Sequence, residues 1–313
     1  MRKREKNEMD KKNRFDESMK RLWQKNNEWK KPQVKEDYFG YKPFCGKRNN
    51  HYFSNDQWNW FKDEMKKDYK DIFNAFDKGS GKEMEEHWSK KNVVKNPPKM
   101  ASVASSSLFT YLTFRKDPVG QLKKIIPDLA SNGRFAFEAS LQIRDVKKAT
   151  AHPDGSYVVT NDRATYIESK CHELFDYHSL KWSKQYEKNG FFNSLEKEIV
   201  GSSIVLDRST FGIDDREKLC LDVKQSICHL LAIANSGEKK KDLIFLYFIP
   251  ESIENDYKME YELLQKQFGS FCASKPIRDF CDNNKISLYL VFAKNAPFEE
   301  FKPEVKEKYL YNH

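Results

Sequence analysis

Asp154, Glu168 and Lys170 are the side chains of this 313-residue sequence whose types and spacing could do chemistry together. Two carboxylates brought close can hold a hard divalent cation, because Mg²⁺ takes oxygen ligands and favours one or two protein carboxylates with water and phosphate. An ion held that way lowers the pKa of its water and polarises a phosphoryl oxygen. A lysine beside it adds a compact cation that can face a phosphate or an attacking water. The chemistry these three residues could support is hydrolysis of a phosphate ester.

They must be positioned by the stretch His152 to Glu173, which reads as two short strands and a turn. Tyr157 to Thr160 and Thr165 to Ile167 are β-branched or aromatic, and Asn161-Asp162-Arg163 carries turn chemistry between them. Side chains alternate along a strand, so Glu168 and Lys170 share a face and Ser169 takes the other. A three-residue loop at Asn161 to Arg163 would pair Thr160 with Ala164. It would set Asp154 opposite Lys170, on the same face. A two-residue loop would put Asp154 opposite Ser169, on the wrong face, since a one-residue slip flips every side chain. The odd loop is the one expected. The competing reading makes Asp154 part of a surface His-Pro-Asp-Gly turn and Glu168 with Lys170 an outward ion pair of little worth.

Pro153-Asp154 followed by Glu168-Ser169-Lys170 resembles the PD-(D/E)xK signature of restriction endonucleases and related DNA-processing nucleases. The run Ile167-Glu168-Ser169-Lys170-Cys171-His172-Glu173 is similar to that of a family of bacterial restriction endonucleases. Pro98-Lys99-Met100-Ala101-Ser102-Val103-Ala104-Ser105-Ser106-Ser107 belongs to the same pattern. The resemblance spans residues 95–295. It implies an α/β fold, with a restriction-endonuclease-like mixed β-sheet core flanked by helices. It also implies Mg²⁺, with Mn²⁺ as a substitute, on Asp154, Glu168 and the Ser169 carbonyl, with Lys170 orienting or activating water. Glu138 would fill the place of an additional upstream carboxylate, and Gln225 that of the glutamine of RecB-like nucleases. Double-stranded DNA is the implied partner, with a homodimer and a cognate methyltransferase. Repair, transposition and RNA-directed nucleases share this fold, as do nucleic-acid-binding modules that have lost catalysis.

Charge is unevenly spread. Residues 1–100 carry 26 Lys and Arg against 17 Asp and Glu, whereas residues 101–313 carry 30 of each. A basic arm on a neutral core points to a polyanion, because phosphate neutralisation supplies most non-specific nucleic-acid affinity. The division expected from this shift is a helical, basic, DNA-recognising region at 1–96 and a catalytic domain at 97–313, parted at Asn96-Pro97-Pro98. No apolar run approaches a membrane span. The first residues, MRKREKNEMDKK, lack a secretory apolar core. The six cysteines include no Cys-x-x-Cys pair, so free thiols in the cytoplasm are expected. Cys171, His172 and His178 are read as packing residues.

Helices are expected from Lys12 to before Lys31, along the Trp58 to Phe76 stripe, and over Lys82–Lys91, Met100–Phe114, Gln121–Ala130, Leu174–Lys188 and Leu221–Ala234. Residues 1–11 read as frayed, Tyr38 to Phe44 as an aromatic loop, and 189–215 as irregular. Gly79-Ser80-Gly81 should stop the Trp58 helix, and Pro118 should break the chain after Phe114. Arg134 to Arg144 alternates like a strand. Leu243–Ile249 is a buried strand. Tyr257 to Phe268 and Pro276 to Phe280 are helical, and Ile286–Phe292 is the last strand.

Overall fold

The structure, a computed structural model, describes residues 2–26, 39, 52–68, 70–78, 83–88, 95–143, 150–175, 178–180 and 208–309. The Gly79-Ser80-Gly81 stop, Tyr69, the irregular stretch up to 207 and most of the 38–44 loop lie outside them.

A six-stranded mixed sheet forms the centre: β1 (Arg134–Phe137), β2 (Gly155–Val159), β3 (Arg163–Lys170), β4 (Lys240–Ile249), β5 (Ile286–Lys294) and β6 (Pro303–Tyr309). The strands lie side by side in chain order. β1, β2 and β3 are antiparallel to one another in turn, β3, β4 and β5 run parallel, and β6 returns antiparallel. Parallel neighbours need crossovers, which here contain helices. Eight α-helices stand among the described residues: α1 (Arg2–Lys25), α2 (Asn55–Asp68), α3 (Lys70–Lys78), α4 (Ser106–Phe114), α5 (Pro118–Lys123), α6 (Val223–Ile233), α7 (Lys258–Ala273) and α8 (Lys275–Asn284). The fold is mixed α/β. None of these helices is long and apolar enough to cross a membrane.

The hairpin loop is odd, as expected, but it sits one residue earlier. Val159 pairs with Arg163 and Val158 with Ala164, leaving Thr160, Asn161 and Asp162 as the loop. Two interactions explain the shift. Asn161 takes a left-handed conformation, φ 61°, which Asn tolerates in the middle of a turn. Arg163 is drawn into the strand by Asp242 on β4, through Nε–Oδ2 at 2.7 Å and Nη2–Oδ1 at 2.9 Å. The pairing moves by two positions, so facing is preserved. Continuing the register brings Asp154 opposite Glu168 rather than Lys170.

Other boundaries moved for local reasons. α1 begins at Arg2, so residues 2–11 are helical rather than frayed. The Met100–Phe114 helix starts only at Ser106, because Ser102 and Ser105 side chains capture the amides of Ala104 and Leu108. The chain breaks after Phe114 as expected, but the helix expected over Gln121–Ala130 comes earlier and shorter, with Pro118 opening α5 under an Asp117 cap and Lys123 ending it. The alternating run from Arg134 stops at Phe137, where Glu138 takes φ 50°. Leu141–Gln142 then pair with Thr150–Ala151 in a separate ribbon. Glu83–Trp88 forms a turn and a short strand rather than a helix. Leu174 and Phe175 lie in a 3-10 turn, His172–Phe175; the remainder of that expected helix falls largely outside the described residues. β6 was not anticipated: its Glu-Val-Lys-Glu-Lys stretch is too charged to read as core and suits a sheet edge.

One apolar core runs through the molecule and includes residues from both sides of Asn96. Trp23 of α1 is fully buried, packs against Phe53, Phe109 and Phe298, and donates its indole N–H to the Val103 carbonyl at 3.1 Å. Phe76 of α3 meets Tyr111 and Phe137. α4 lies on one face of the sheet, where Phe109 meets Phe248, and α7 on the other, where Phe268 meets Phe245. The five described cysteines are free; Cys45 is outside the described residues.

Asp242 is 1% exposed and also accepts from Thr165 Oγ1 at 2.8 Å. Removing it strands a guanidinium that has lost its buried partner. Asp242→Ala is expected to lower unfolding free energy by about 3–5 kcal/mol, measured by urea titration, whereas Thr165→Val should cost about 1 kcal/mol.

Candidate active site

A cleft of about 480 Å³ opens at the end of the β2–β3 hairpin. Asp154, Glu168, Glu138 and Gln225 all line it, together with the Ser-rich segment Ser102 to Ser107, His152, His172 and Glu173. Strand alternation divides β3 between two helices. Ser169 faces α4, where Thr110 Oγ1 donates to its Oγ at 2.6 Å. Glu168 and Lys170 face α6.

On that side a closed triangle forms. Lys170 Nζ donates to Glu168 Oε1 and to Gln225 Oε1, each at 2.7 Å, and Gln225 Nε2 donates to Glu168 Oε1 at 2.7 Å. Gln225 is held by the start of α6, where the Asp222 side chain caps the Gln225 amide at 3.1 Å. His178 Nδ1 stands 3.3 Å from the same Asp222 carboxylate. Burial opposes the charge on Asp222, yet that imidazole holds its carboxyl down at about 2.

Asp154 lies just before β2. Its Oδ2 accepts the Ser169 amide at 2.7 Å, and its Oδ1 meets the Ser107 hydroxyl at 3.4 Å. The Glu138 amide donates to the Asp154 carbonyl at 3.1 Å, so the kink after β1 is tied to the same residue. At that kink Glu138 lines the cleft. Lys170 reaches Glu168 directly but makes no hydrogen bond to Asp154.

His229 was expected on a side of α6 away from the core, one turn from Gln225. It is instead 2% exposed, with Nε2 3.0 Å from Glu168 Oε2. With the imidazole protonated, the two make a buried ion pair. The contact is therefore electrostatic. The i, i+4 spacing of Gln225 and His229 was the available signal.

Comparison with protein-family models, curated proteins and solved structures gives no match for this chain.

The charges in the cleft divide into a compensated pair and an uncompensated one. Burial alone would raise the Glu168 carboxyl, but Lys170 and His229 outweigh it and hold the group well below the ordinary range. Burial would likewise favour neutral Lys170, but the Glu168 and Glu173 carboxylates keep it protonated. Asp154 has no such ammonium. Burial, then Glu168, then Glu138 push its carboxyl well up. Burial followed by Glu83 and Glu168 pushes Glu138 up to about 7.

This set fits a hard divalent cation. The donors are carboxylate oxygens, and Asp154 and Glu138 crowd negative charge that a cation would relieve. Among the described residues no group of three or more His, Cys, Asp or Glu is arranged to hold an ion by itself. Asp154 and Glu168, with the Ser169 carbonyl as in the sequence expectation, would therefore supply only part of the ligand shell, leaving the rest to water and substrate.

Glu138 also makes a pH prediction. With its folded pKa raised, the bound proton adds stability that is fully present below the ordinary carboxylate range and lost as pH rises through about 7. Glu138→Gln should flatten the fall in unfolding free energy between about pH 5 and pH 8, by an amount on the order of 2 kcal/mol. Urea titrations at several pH values measure this; parallel curves for the two proteins would show that Glu138 is not protonated as described.

Proposed function

We propose that the protein is a Mg²⁺-dependent endonuclease of the PD-(D/E)xK type that hydrolyses phosphodiester bonds in double-stranded DNA, in the manner of a type II restriction enzyme. The observation that carries the reading is the convergence of Asp154, Glu168 and Gln225 at one cleft, with Lys170 hydrogen-bonded to Glu168 and Gln225 behind them. The arrangement of α4, the antiparallel β1–β2–β3 unit, α6 and parallel β4 supports it further, because this order suits the restriction-endonuclease core.

In this reading Asp154 and Glu168 hold the ion with the Ser169 carbonyl. The ion would supply Lewis acidity toward the phosphoryl oxygens and an acidified water. Mn²⁺ would substitute, having the same taste for oxygen ligands. Lys170 acts as a fixed cation rather than a base, since its carboxylate neighbours keep it protonated. It orients water and offsets charge developing on the phosphate. Gln225 sets the rotation of Glu168 and Lys170 through the triangle of hydrogen bonds.

The basic excess in residues 1–100 supplies phosphate attraction for a DNA partner. Some of that charge is spent internally: Lys11 pairs with Glu260 and Arg14 with Asp256, tying α1 to the catalytic half. Action as a symmetric homodimer on a palindrome, and a cognate methyltransferase guarding host DNA in the cytoplasm, belong to the same proposal.

Plasmid DNA incubated with the protein and Mg²⁺ should be cut, and a chelator should stop the reaction. Asp154→Ala and Lys170→Ala should each slow cleavage by at least about 100-fold. Equal cutting by Asp154→Ala and wild type would remove the assignment. Cleavage of RNA but not DNA would move it to an RNA-directed enzyme of the same fold, and discrete DNA fragments would support restriction over repair or transposition.

A further inference from the structure

The N-terminal region supplies part of the wall of the cleft. Tyr52 and Glu83, both upstream of Asn96, line it, and so does Lys99 at the start of a 3-10 turn. Backbone pairing fixes this placement. The Met100 amide donates to the Glu83 carbonyl at 3.1 Å, the Phe53 amide donates to the Ala101 carbonyl at 3.0 Å, and Tyr52 pairs with Ser102. Three segments well apart in sequence thereby meet at the cleft.

Charge around this space is lopsided. Its described lining residues include the carboxylates of Glu83, Glu138, Asp154, Glu168 and Glu173, and Lys99 is the one lysine or arginine among them. Lys170 stands behind, bound to Glu168 and Gln225. A cation on Asp154 and Glu168 would offset charge at one place only. A polyanion entering the same space still meets the other carboxylates, and a positive side chain that reaches a phosphate is what admits it.

Lys99 has the exposure for that use. Its side chain is 54% exposed against 12% for Glu83, and the two meet at 3.0 Å. An ammonium carries three donors on a flexible stem. An ion pair with one partner in solvent adds little to stability, so a phosphate can share or take over this ammonium at small cost to the fold.

We propose that Lys99 is a substrate-binding residue that donates to a backbone phosphate of double-stranded DNA in the cleft, with Glu83 holding its ammonium there until the strand arrives. This rests on the nuclease reading for its substrate, but the contact is tested by binding, apart from cleavage. The rival account is that Lys99 only masks the charge of Glu83. Removing Lys99 weakens DNA binding on either account. Only a phosphate contact makes the loss persist once Glu83 is neutral.

Anisotropy of a fluorescently labelled DNA duplex, titrated with the full chain over a salt series, reads this; Ca²⁺, which takes the same oxygen ligands, replaces Mg²⁺. Lys99→Gln should weaken binding about threefold or more and lower the slope of log affinity against log salt by about 0.9, the share of one phosphate. Lys99→Arg should restore most of both. The same losses should appear when Lys99→Gln is added to Glu83→Gln. Losses confined to the protein that keeps Glu83 would overturn the contact. Should Glu83→Gln fail to fold by circular dichroism, the Cε–Hε resonance of Lys99 decides: the duplex should shift it, and an unmoved signal at saturation would sink the proposal. Slope loss in both backgrounds from a protein that cuts no DNA with Mg²⁺ would keep the contact and discard the nuclease. Cutting with no slope loss in the Glu83→Gln background would do the reverse, and no binding of duplex by wild type at low salt would remove both.

Discussion

A buried carboxylate must be neutralised, and around Glu168 the whole site is arranged to do so. Lys170, two residues along the same strand, reaches its Oε1, while Gln225 and His229 approach from α6. Burying any one of these groups alone would be costly. Together they form a set whose desolvation is repaid by mutual attraction, and the set needs β3 and α6 in one relative position. β3 is therefore paired on both sides: with β2 antiparallel and with β4 parallel. The central place of β3 follows from where its charges must sit.

Asp154 is governed by the opposite condition. Its neighbours are carboxylates and hydroxyls, and its charge is opposed rather than balanced. The fold tolerates this because the Ser169 amide, the Ser107 hydroxyl and the Glu138 amide hold the residue in place from three segments. Glu138 carries φ 50°, a conformation costing on the order of 1 kcal/mol for a side chain with a Cβ. Backbone strain and crowded negative charge coincide at one end of the cleft.

Much of this was legible because the signals were local. The parity of the hairpin loop, the apolar β4 run and the Leu-rich face of α6 follow from short patterns of alternation and helical spacing. The displaced loop was not legible, because Arg163 is recruited by Asp242, 79 residues away. Likewise nothing near Arg134 announces that β1 ends at Phe137: the alternation continues past it, and the left-handed turn of the backbone at Glu138 interrupts the strand. β6 was missed because an edge strand shields itself with the lysines and glutamates that make it look like loop. His229 illustrates a subtler failure. A histidine beside a glutamine on a helix reads as solvent-facing, and only the presence of a buried carboxylate on the facing strand turns that side of α6 inward.

The N-terminal region shows how charge and packing can give different boundaries. Composition changes at about residue 100, where the basic excess ends. Packing does not, since Trp23 and Phe76 are as deeply buried as any residue of the sheet's own core. A region that carries the basic charge yet shares the core cannot swing freely on a linker. The basic residues of α1 and α2 are carried on helices packed into the same core as the sheet. Tethering by Lys11–Glu260, Arg14–Asp256 and the Tyr257 hydroxyl donating to the Lys11 carbonyl strengthens that relation. On the proposed nuclease reading, electrostatic capture by those helices and chemistry at the cleft would be joined through that one core.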